Sequence, residues 1–308
     1  TKGLTEKHKK LNLKALLVKI SNGSKRYCIK KSNDPFDKAL LAKKILKDTM
    51  PFIAKRKIKS FNYDIKNFNR SIGANISGKI AKLYGNYGLS KTPITINLSG
   101  TAGQSLGAWN AAGLNIILTG DSNDYVGKGM AGGKITLKTS DALKNVAKDM
   151  IIMGNTCLYG ATGGKLFAEG IAGERFAVRN SGCIAVVEGS GDHTCEYMTG
   201  GSIVVLGQTG NNFGAGMTGG LAFVYDENKL FKNKINNQSV EIKNLNDKTF
   251  KNHQNYLLKL LKEYCRETNS LKAKFILDNF DKSLNKFIIV KPKNANFINL
   301  LNILIKAA

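Results

Sequence analysis

Arginine is scarce in this otherwise basic chain, and its scarcity bears on nucleic-acid binding. The 308 residues carry 47 lysines and arginines against 22 aspartates and glutamates, for a formal net charge of +25, but only six of the cations are arginine. Base edges and phosphates are best recognised by arginine's planar fork. Residues 100–226 hold 8 basic and 10 acidic side chains, so the flanks carry the whole excess. We therefore expect solvated lysines and no nucleic-acid partner.

Cysteine is also sparse, which argues against metal centres and disulfide frameworks. The five cysteines, at positions 28, 157, 183, 195 and 265, are odd in number and form no C-x-x-C pair. Zinc and iron–sulfur sites need clustered thiolates. We find no signal-peptide pattern, and no apolar run reaches the length of about 18 residues that indicates a membrane span. These absences predict free thiols, no metal site, no membrane contact and a cytoplasmic location.

Glycine is unevenly distributed and divides the chain into three segments. Residues 1–92 have few glycines and read as an α+β flank, with a helix near 35–48 and a short helix ending at Gly85. Residues 227–308 read as a helical C-terminal cap. Its predicted elements are a helix over 253–267, a second helix capped by Asn269 or Ser270, a strand over 286–290 and a helix over 296–305. The chain starts at Thr1 rather than Met, and we expect it to be a piece of a longer polypeptide.

The middle segment, residues 93–226, contains regularly spaced glycines. Each of six glycines precedes a short β-rich run, at intervals of 20, 31, 18, 19 and 19 residues: Gly113, Gly133, Gly164, Gly182, Gly201 and Gly220. The long interval coincides with residues 140–150, a polar stretch that reads as an inserted loop. One strand per period of 18 to 20 residues is too short for a propeller blade and lacks the helix of a leucine-rich repeat.

The period therefore predicts a mainly β fold built on a right-handed parallel β-helix, a single-stranded solenoid. In such a solenoid each rung buries its inward side chains against the rungs above and below. Glycine permits positive φ or a close backbone approach at the tight corners. We expect the C-terminal helices to cap the solenoid or to pack on it, because its ends would otherwise expose unpaired strand edges.

Three groups of residues are candidate sites, and for each we favour a structural role. Gly210–Gly216 is glycine-rich, as are phosphate-binding loops, but it leads into a strand rather than a helix. Two acidic groups could hold a cation, although Asp and Asn at turns more often bind the local backbone. These groups are Asp121 with Asn123 and Asp124, and Asp192 with His193, Cys195 and Glu196.

A polysaccharide lyase is the alternative enzymatic reading, since some β-helices cleave acidic sugars with acids that project from successive rungs. We find no recurrence at the 19-residue interval among the five acids that could form such a row: Asp121, Glu169, Glu174, Glu188 and Glu196. A cytoplasmic chain also fits poorly with a secreted lyase. We therefore expect no catalytic, cofactor-binding or metal-binding residue in this chain.

Several long motifs of the middle segment resemble one known family. They include the runs 100–108, 120–129 and 170–182, followed by 191–193, 195–201, 212–213 and 216–220. These runs resemble the G-x-G-x-G repeats in the C-terminal β-helix domain of the glutamate synthase large (alpha) subunit. Weaker similarity extends through 26–28, 37–40 and 69–71, and through the tail to Pro292. The similar domain of a formylmethanofuran dehydrogenase subunit is a less favoured relative.

The resemblance implies a parent enzyme that makes two glutamates from glutamine and 2-oxoglutarate in nitrogen assimilation. That enzyme has an amidotransferase domain, a flavin-bearing synthase domain with FMN, and an iron–sulfur cluster. In the family the β-helix is a scaffold between the other domains, so no catalytic residue carries over to this chain. The partners implied are the amidotransferase, the FMN synthase domain and a small subunit.

Two hypotheses of different classes follow: a scaffold segment of a multidomain oxidoreductase, and a stand-alone β-helix with binding or lyase activity. The lysine and asparagine bias is also compatible with a decaying remnant whose partners are lost. We expect the isolated chain to be colourless and inactive toward glutamine and 2-oxoglutarate, because it offers no flavin site and no nucleophile for amide hydrolysis.

Overall fold

The computed structural model describes residues 5–6, 10–17 and 39–307. The chain divides into two compact units, Thr1–Lys38 and Ala39–Ala308. In the first unit the N–H groups of Leu16 and Leu17 both donate to the Leu13 carbonyl at 3.0 Å, which makes a turn. The predicted helix start at residues 34–35 and the similarity at 26–28 lie outside the described residues.

The second unit contains eleven strands and six helices within residues 39–307. The first part comprises α1 (Leu40–Ala54), β1 (Lys59–Ile65), α2 (Ala74–Tyr84), β2 (Ile94–Gly100), β3 (Leu114–Thr119), β4 (Ala131–Lys138), β5 (Ile151–Met153) and β6 (Gly163–Ala172). The second part comprises β7 (Ser181–Ser190), β8 (Thr199–Val205), β9 (Gly219–Tyr225), β10 (Val240–Asn244), α3 (Lys251–Thr268), α4 (Leu271–Asp278), α5 (Phe280–Ser283), β11 (Phe287–Pro292) and α6 (Phe297–Ala307).

Eight of these strands stack in parallel as successive rungs. Their order is β1-β2-β3-β4-β6-β7-β8-β9, so each strand pairs with the next across one turn of chain. One buried column of paired residues runs through seven rungs: Ile96, Ile116, Ile135, Leu166, Ala185, Ile203 and Ala222. A column of this kind is possible only when each rung repeats the inward pattern of its neighbour. The predicted parallel β-helix is confirmed.

The solenoid extends further toward the N-terminus than the glycine pattern indicated. Strand β1 pairs in parallel with β2 from Lys59 to Ile65, so parallel pairing begins well before residue 93. At the other end β11 runs antiparallel between β9 and β10. The division of the chain at 92/93 and 226/227 stays a prediction. The inserted stretch 140–150 forms two short 3₁₀ turns before the edge strand β5.

The solenoid interior is closed at both ends by the chain itself. Helix α1 contributes buried Ile45 and Ile53 to the inner core at one end. The Phe52 ring of α1 meets Phe61 of β1 edge-on, with 5.4 Å between centroids. Phe231 and Val240 belong to the same core beyond the last rung. Of the two arrangements expected for the C-terminal helices, capping the solenoid and packing on it, the structure shows the second.

The C-terminal helices instead pack on one outer face of the solenoid. Strands β6 to β9 present outward side chains that form a second core with α3, α4 and α6: Phe167, Val186, Val204 and Phe223. Leu257 and Leu261 of α3 are fully buried there, as the predicted helical spacing requires. Ser270 caps α4 by accepting the Ala273 N–H at 2.9 Å, which confirms one of the two predicted caps. Over strands β6 to β9, the sheet is therefore buried on both of its faces.

Candidate functional site

Six successive connections between rungs, from β2–β3 to β8–β9, each turn one corner through three alternate residues with φ between 52° and 72°. We call this feature the αL corner. Its triplets, in chain order, are Ser105, Gly107 and Trp109; Tyr125, Gly127 and Gly129; Thr156, Leu158 and Gly160; Arg175, Ala177 and Arg179; His193, Cys195 and Tyr197; Asn212, Gly214 and Gly216. Left-handed backbone costs an L-residue about 1–2 kcal/mol relative to the right-handed form. Most of these positions nevertheless carry a side chain.

Hydrogen bonds between rungs hold the αL corner in this conformation. The first and third residues of a triplet donate to the next rung, as Arg179 N does to the Glu196 carbonyl at 2.9 Å. The middle residue donates to the preceding rung, as Cys195 N does to the Phe176 carbonyl at 2.8 Å. The alternation turns successive N–H groups in opposite directions, so both neighbouring rungs are bound. The corner therefore stacks in strict register.

The middle position of each triplet faces the solenoid interior. Leu158, Ala177 and Cys195 are fully buried there. Burial raises the pKa of the Cys195 thiol well above its ordinary value. Burial also raises the pKa of Cys157 to about 12. These thiols are protonated interior side chains and are unsuited to nucleophilic chemistry.

The third position of each triplet faces outward, and the two aromatic side chains found there are exposed. Trp109 is 61% exposed and Tyr197 is 52% exposed. Each ring lies over a glycine of the next rung. A Cβ on Gly129 would come within 2.8 Å of the Trp109 ring, and one on Gly216 within 2.4 Å of the Tyr197 ring. The two glycines thus leave the space that the aromatic rings occupy.

Cations lie against the exposed aromatic rings of the same corner. The Lys128 ammonium is 5.3 Å from the Tyr125 ring centroid and 5.9 Å from that of Tyr159. The Arg179 guanidinium is 6.0 Å from the Tyr197 ring. Among the residues that the structure describes, neither cation has a carboxylate partner within salt-bridge distance. We call Trp109, Tyr125, Lys128, Tyr159, Arg179 and Tyr197 the outer stripe.

The first candidate cation group, Asp121 with Asn123 and Asp124, stabilises turns of the backbone. Asp121 accepts the Thr101 hydroxyl at 2.8 Å, and Asn123 accepts the Asp124 N–H. Asp124 accepts the N–H of Asn155 on the next rung at 2.8 Å. Gly154 makes this approach possible, since a Cβ there would lie 2.2 Å from Asp124 Oδ1. The aspartates therefore bind neighbouring chain groups.

The second candidate group is separated by the αL corner. Cys195 is fully buried in the interior, whereas His193 is partly exposed and the largely buried Glu196 lies 3.9 Å from it. Glu196 Oε2 accepts Arg175 at 2.7 Å, and Asp192 accepts the Asn211 N–H at 2.6 Å. Within residues 39–307 and the short described pieces before them, no three His, Cys, Asp or Glu side chains form a group suited to a metal ion.

The glycine-rich run 210–216 is the last rung of the αL corner. Its N–H groups are directed to the protein, with Phe213 N donating to the Lys234 carbonyl and Gly214 N to the Thr194 carbonyl. Gly216 N donates to the Ser239 hydroxyl at 2.9 Å. A phosphate cradle needs free N–H groups that converge on the anion. This run therefore offers no such cradle.

Sequence reasoning was wrong about the recurrence of the acids. Glu169 and Glu188 are one 19-residue period apart, on the adjacent strands β6 and β7. Both are nearly fully buried beneath the C-terminal helices, so they are closed to a polysaccharide. Burial raises the pKa of Glu188, against the lowering effect of hydrogen bonds from Ser270 and Tyr264.

A polar network around these two acids joins three parts of the fold. Lys144 of the inserted stretch contacts Glu169 at 2.6 Å and donates to the Thr268 carbonyl at 2.8 Å. Tyr264 of α3 donates to Glu188 Oε1 at 3.1 Å, and Ser270 donates to the same oxygen. The network fixes the α3–α4 junction and the inserted stretch to the solenoid.

A cleft of about 410 Å³ lies beside Glu188. Lysine side chains line it together with four carboxylates: Asp149, Glu188, Asp226 and Glu227. Three lysines share the lining with these four acids, so the cleft does not present a predominantly cationic site for the phosphate of FMN. The thiols do not suit an iron–sulfur cluster, since Cys157, Cys183 and Cys195 lie on separate rungs and Cys265 lies on α3. Cys28 lies outside the described residues.

Comparison with known proteins assigns the fold to a family. The GXGXG motif model matches residues 38–293. The chain is 49% identical over 238 residues to the ferredoxin-dependent glutamate synthase of Antithamnion sp., covering 77% of this chain and 15% of that protein. It is 45% identical over 263 residues to the glutamate synthase [NADPH] large chain of Bacillus subtilis (strain 168), covering 85% and 17% respectively.

A fungal relative gives the same result. The glutamate synthase [NADH] of Schizosaccharomyces pombe is 47% identical over 230 residues, covering 75% of this chain and 11% of that protein. The chain thus spans between about a tenth and a sixth of the length of these relatives. The predicted resemblance is confirmed. In the part of the chain that the structure describes, no helix is long and apolar enough to cross a membrane.

Proposed function

We propose, because the chain belongs to the GXGXG motif family, that it is the C-terminal scaffold domain of a glutamate synthase large chain. The observation that carries the proposal is the pairing of high identity with low coverage. Three quarters or more of this chain matches glutamate synthases from an alga, a bacterium and a yeast, yet it matches only 11 to 17% of their length. A segment of this kind acts as part of a larger enzyme.

The structure supports a mechanical role rather than a chemical one. The solenoid is closed at both ends, packed inside and covered on one face, so it is suited to hold neighbouring domains at fixed positions. Cys157, Cys183 and Cys195 are buried, and Glu169 and Glu188 are covered by helices. The proposed partners are the amidotransferase domain, the FMN synthase domain and a small subunit of a cytoplasmic enzyme.

The parent reaction moves the amide nitrogen of glutamine to 2-oxoglutarate and reduces the product to glutamate, a step of nitrogen assimilation. FMN and the iron–sulfur cluster would supply the electron transfer from other domains. This chain's own contribution would be to fix the distance between the glutaminase and synthase sites. Positioning of that kind affects the rate through the geometry of the sites rather than through contact with substrate.

Recovery of the chain from its own cells tests the proposal. A tag on this segment should recover glutaminase and flavin-dependent synthase activity, in the same polypeptide or in associated ones, and the recovered material should show flavin absorbance. The isolated segment should be colourless. Recovery without either activity, or one flavin bound by the isolated segment, contradicts the proposal.

A further inference from the structure

Four of the six residues of the outer stripe carry side chains in left-handed backbone, where glycine is favoured: Trp109, Tyr125, Arg179 and Tyr197. The third corner position is Gly in three triplets and Trp109, Arg179 or Tyr197 in three others, all with the same left-handed φ. Bulky residues in this region are genuine outliers, and such outliers concentrate at functional positions. Gly129, Gly160 and Gly216 show that the corner closes without a side chain. The large side chains therefore need a reason outside the fold.

We infer that the outer stripe is the surface through which this domain docks onto the remaining domains of the glutamate synthase large chain. The inference rests on the proposed function and goes beyond it by naming the face. The corner stacks rung on rung at a spacing of about 4.8 Å, so the stripe spans about 19 Å over the four spacings from Trp109 to Tyr197. That length suits the core of a protein interface.

The composition of the outer stripe is that of an interface centre. Trp, Tyr and Arg dominate the residues that contribute most to binding energy at protein interfaces. The stripe has one Trp, three Tyr and one Arg, all exposed, and the Trp is the only one in the chain. The rigid backbone holds these rings in place before binding, which lowers the entropy lost on docking.

The unpaired cations of the stripe and the greater length of the relatives indicate which partner docks here. Arg179 and Lys128 have no carboxylate partner in the described part of the chain. The docking face should therefore present carboxylates opposite these cations and apolar surface opposite Trp109 and Tyr197. The relatives supply the polypeptide, since more than four fifths of their length lies beyond the match to this chain.

Hydroxyl-radical footprinting of the assembled enzyme tests this surface residue by residue. We compare the modification rates of Trp109, Tyr125, Tyr159 and Tyr197 in the isolated chain and in the glutamate synthase that contains it. Docking should lower these rates at least about fivefold, because a buried interface core excludes water. Tyr87, which is 88% exposed and lies outside the corner, is the internal reference and should keep its rate. Equal rates at the stripe in both samples overturn the inference.

A glycine variant separates docking from folding. Trp109→Gly, Arg179→Gly and Tyr197→Gly together remove the three stripe side chains at third corner positions and leave a residue that the corner accepts in other rungs. In the assembled enzyme, Tyr125 and Tyr159 should then be modified at the rate of the isolated chain. The matched control, Tyr87→Ala with Phe275→Ala, should leave them protected.

The outcomes distinguish this inference from the proposed function. Failure to obtain any glutamate synthase that contains the chain removes both. An assembled wild-type enzyme with an unprotected stripe, or with protection that survives the glycine variant, leaves the scaffold role standing and places the docking surface elsewhere.

Discussion

The helix-covered face and the αL corner are both outer surfaces of the same solenoid. They differ in whether other parts of the chain cover their outward aromatic side chains. On the covered face, Phe167 and Phe223 project outward and meet the aromatic rings of α3, with Tyr264 5.8 Å from Phe167 and Tyr256 6.1 Å from Phe223. At the corner, Trp109 and Tyr197 project outward with more than half of their surface exposed.

The difference separates side chains that stabilise the fold from side chains that are available for a partner. Burying an aromatic ring contributes to stability only where another element covers it. The covered face has its partner within the chain, in α3, α4 and α6. At the corner, left-handed backbone costs conformational energy, and the rings that this backbone carries are not covered by the described part of the chain. We therefore expect mutations on the two surfaces to affect different properties, stability on one and assembly on the other.

The largest effect on stability should come from the covered face. Phe223→Ala removes a fully buried ring between β9 and α3, and the free energy of unfolding should fall by about 3–5 kcal/mol. Denaturant titration measures it. Phe275→Ala, on the exposed side of α4, is the matched control and should change stability by less than about 0.5 kcal/mol. Similar losses in the two variants would break the distinction between covered and exposed aromatic residues.

The polar network beneath the helices should give the next largest effect. Lys144→Met leaves Glu169 buried without its cation, and loss of one partner of a buried pair costs about 3 kcal/mol. Lys165→Met breaks the more exposed pair with Glu263 and should cost less than about 1 kcal/mol. Equal costs in thermal or denaturant unfolding would show that the network does not fix the inserted stretch.

The pH dependence of stability should report on Glu188. Burial raises its pKa in the folded state, so the folded protein binds the proton more tightly than the unfolded chain. The favourable contribution is complete below the ordinary glutamate pKa of 4.5 and is lost as the pH rises through the folded pKa.

Glu188→Gln keeps an oxygen that accepts from Tyr264 and Ser270 but carries no charge. The variant should be more stable than wild type by on the order of 1 kcal/mol at neutral pH, and the difference should vanish near pH 4. Unfolding curves between pH 4 and 8 measure it. A destabilised variant at neutral pH would mean that the network requires the carboxylate charge.

The smallest effect on stability should come from the corner. Trp109→Gly and Tyr197→Gly each relieve left-handed strain and each lose a ring contact, so stability should stay within about 1 kcal/mol of wild type. In contrast, Gly216→Ala places a Cβ against the Tyr197 ring at a φ of +65° and should destabilise by about 1 kcal/mol or more. A large loss in the glycine variants would assign the outer side chains to folding.

The sequence predicted those parts of the fold that repeat. The strands β3, β4 and β6 to β9 follow glycines at a regular period, and α3 has its apolar residues at helical spacing. Strand β1 was missed because no glycine precedes it and its outward residues are polar. Strand β10 was missed because Val240–Asn244 alternates charge and apolar residues over only five positions.

The candidate surface was harder to predict than the fold. Nothing in the local propensities of Arg175, Ala177 and Arg179 places them in left-handed backbone, because L-residues avoid that region unless tertiary hydrogen bonds impose it. The glycines of other rungs marked the corner, but only the stacking of rungs showed that these residues occupy the equivalent positions. The 19-residue spacing of Glu169 and Glu188 could be read from the sequence, but their burial beneath α3 and α4 depends on tertiary packing that the spacing does not show.

Coupling between the two half-reactions tests the central claim most directly. We would measure glutamine hydrolysed per 2-oxoglutarate consumed in the assembled enzyme, with the wild-type stripe and with Trp109, Arg179 and Tyr197 replaced by glycine. A scaffold that docks through the corner predicts one-to-one coupling in wild type and excess glutamine hydrolysis in the variant, because the two sites are no longer held together. One-to-one coupling in a folded variant would contradict the account.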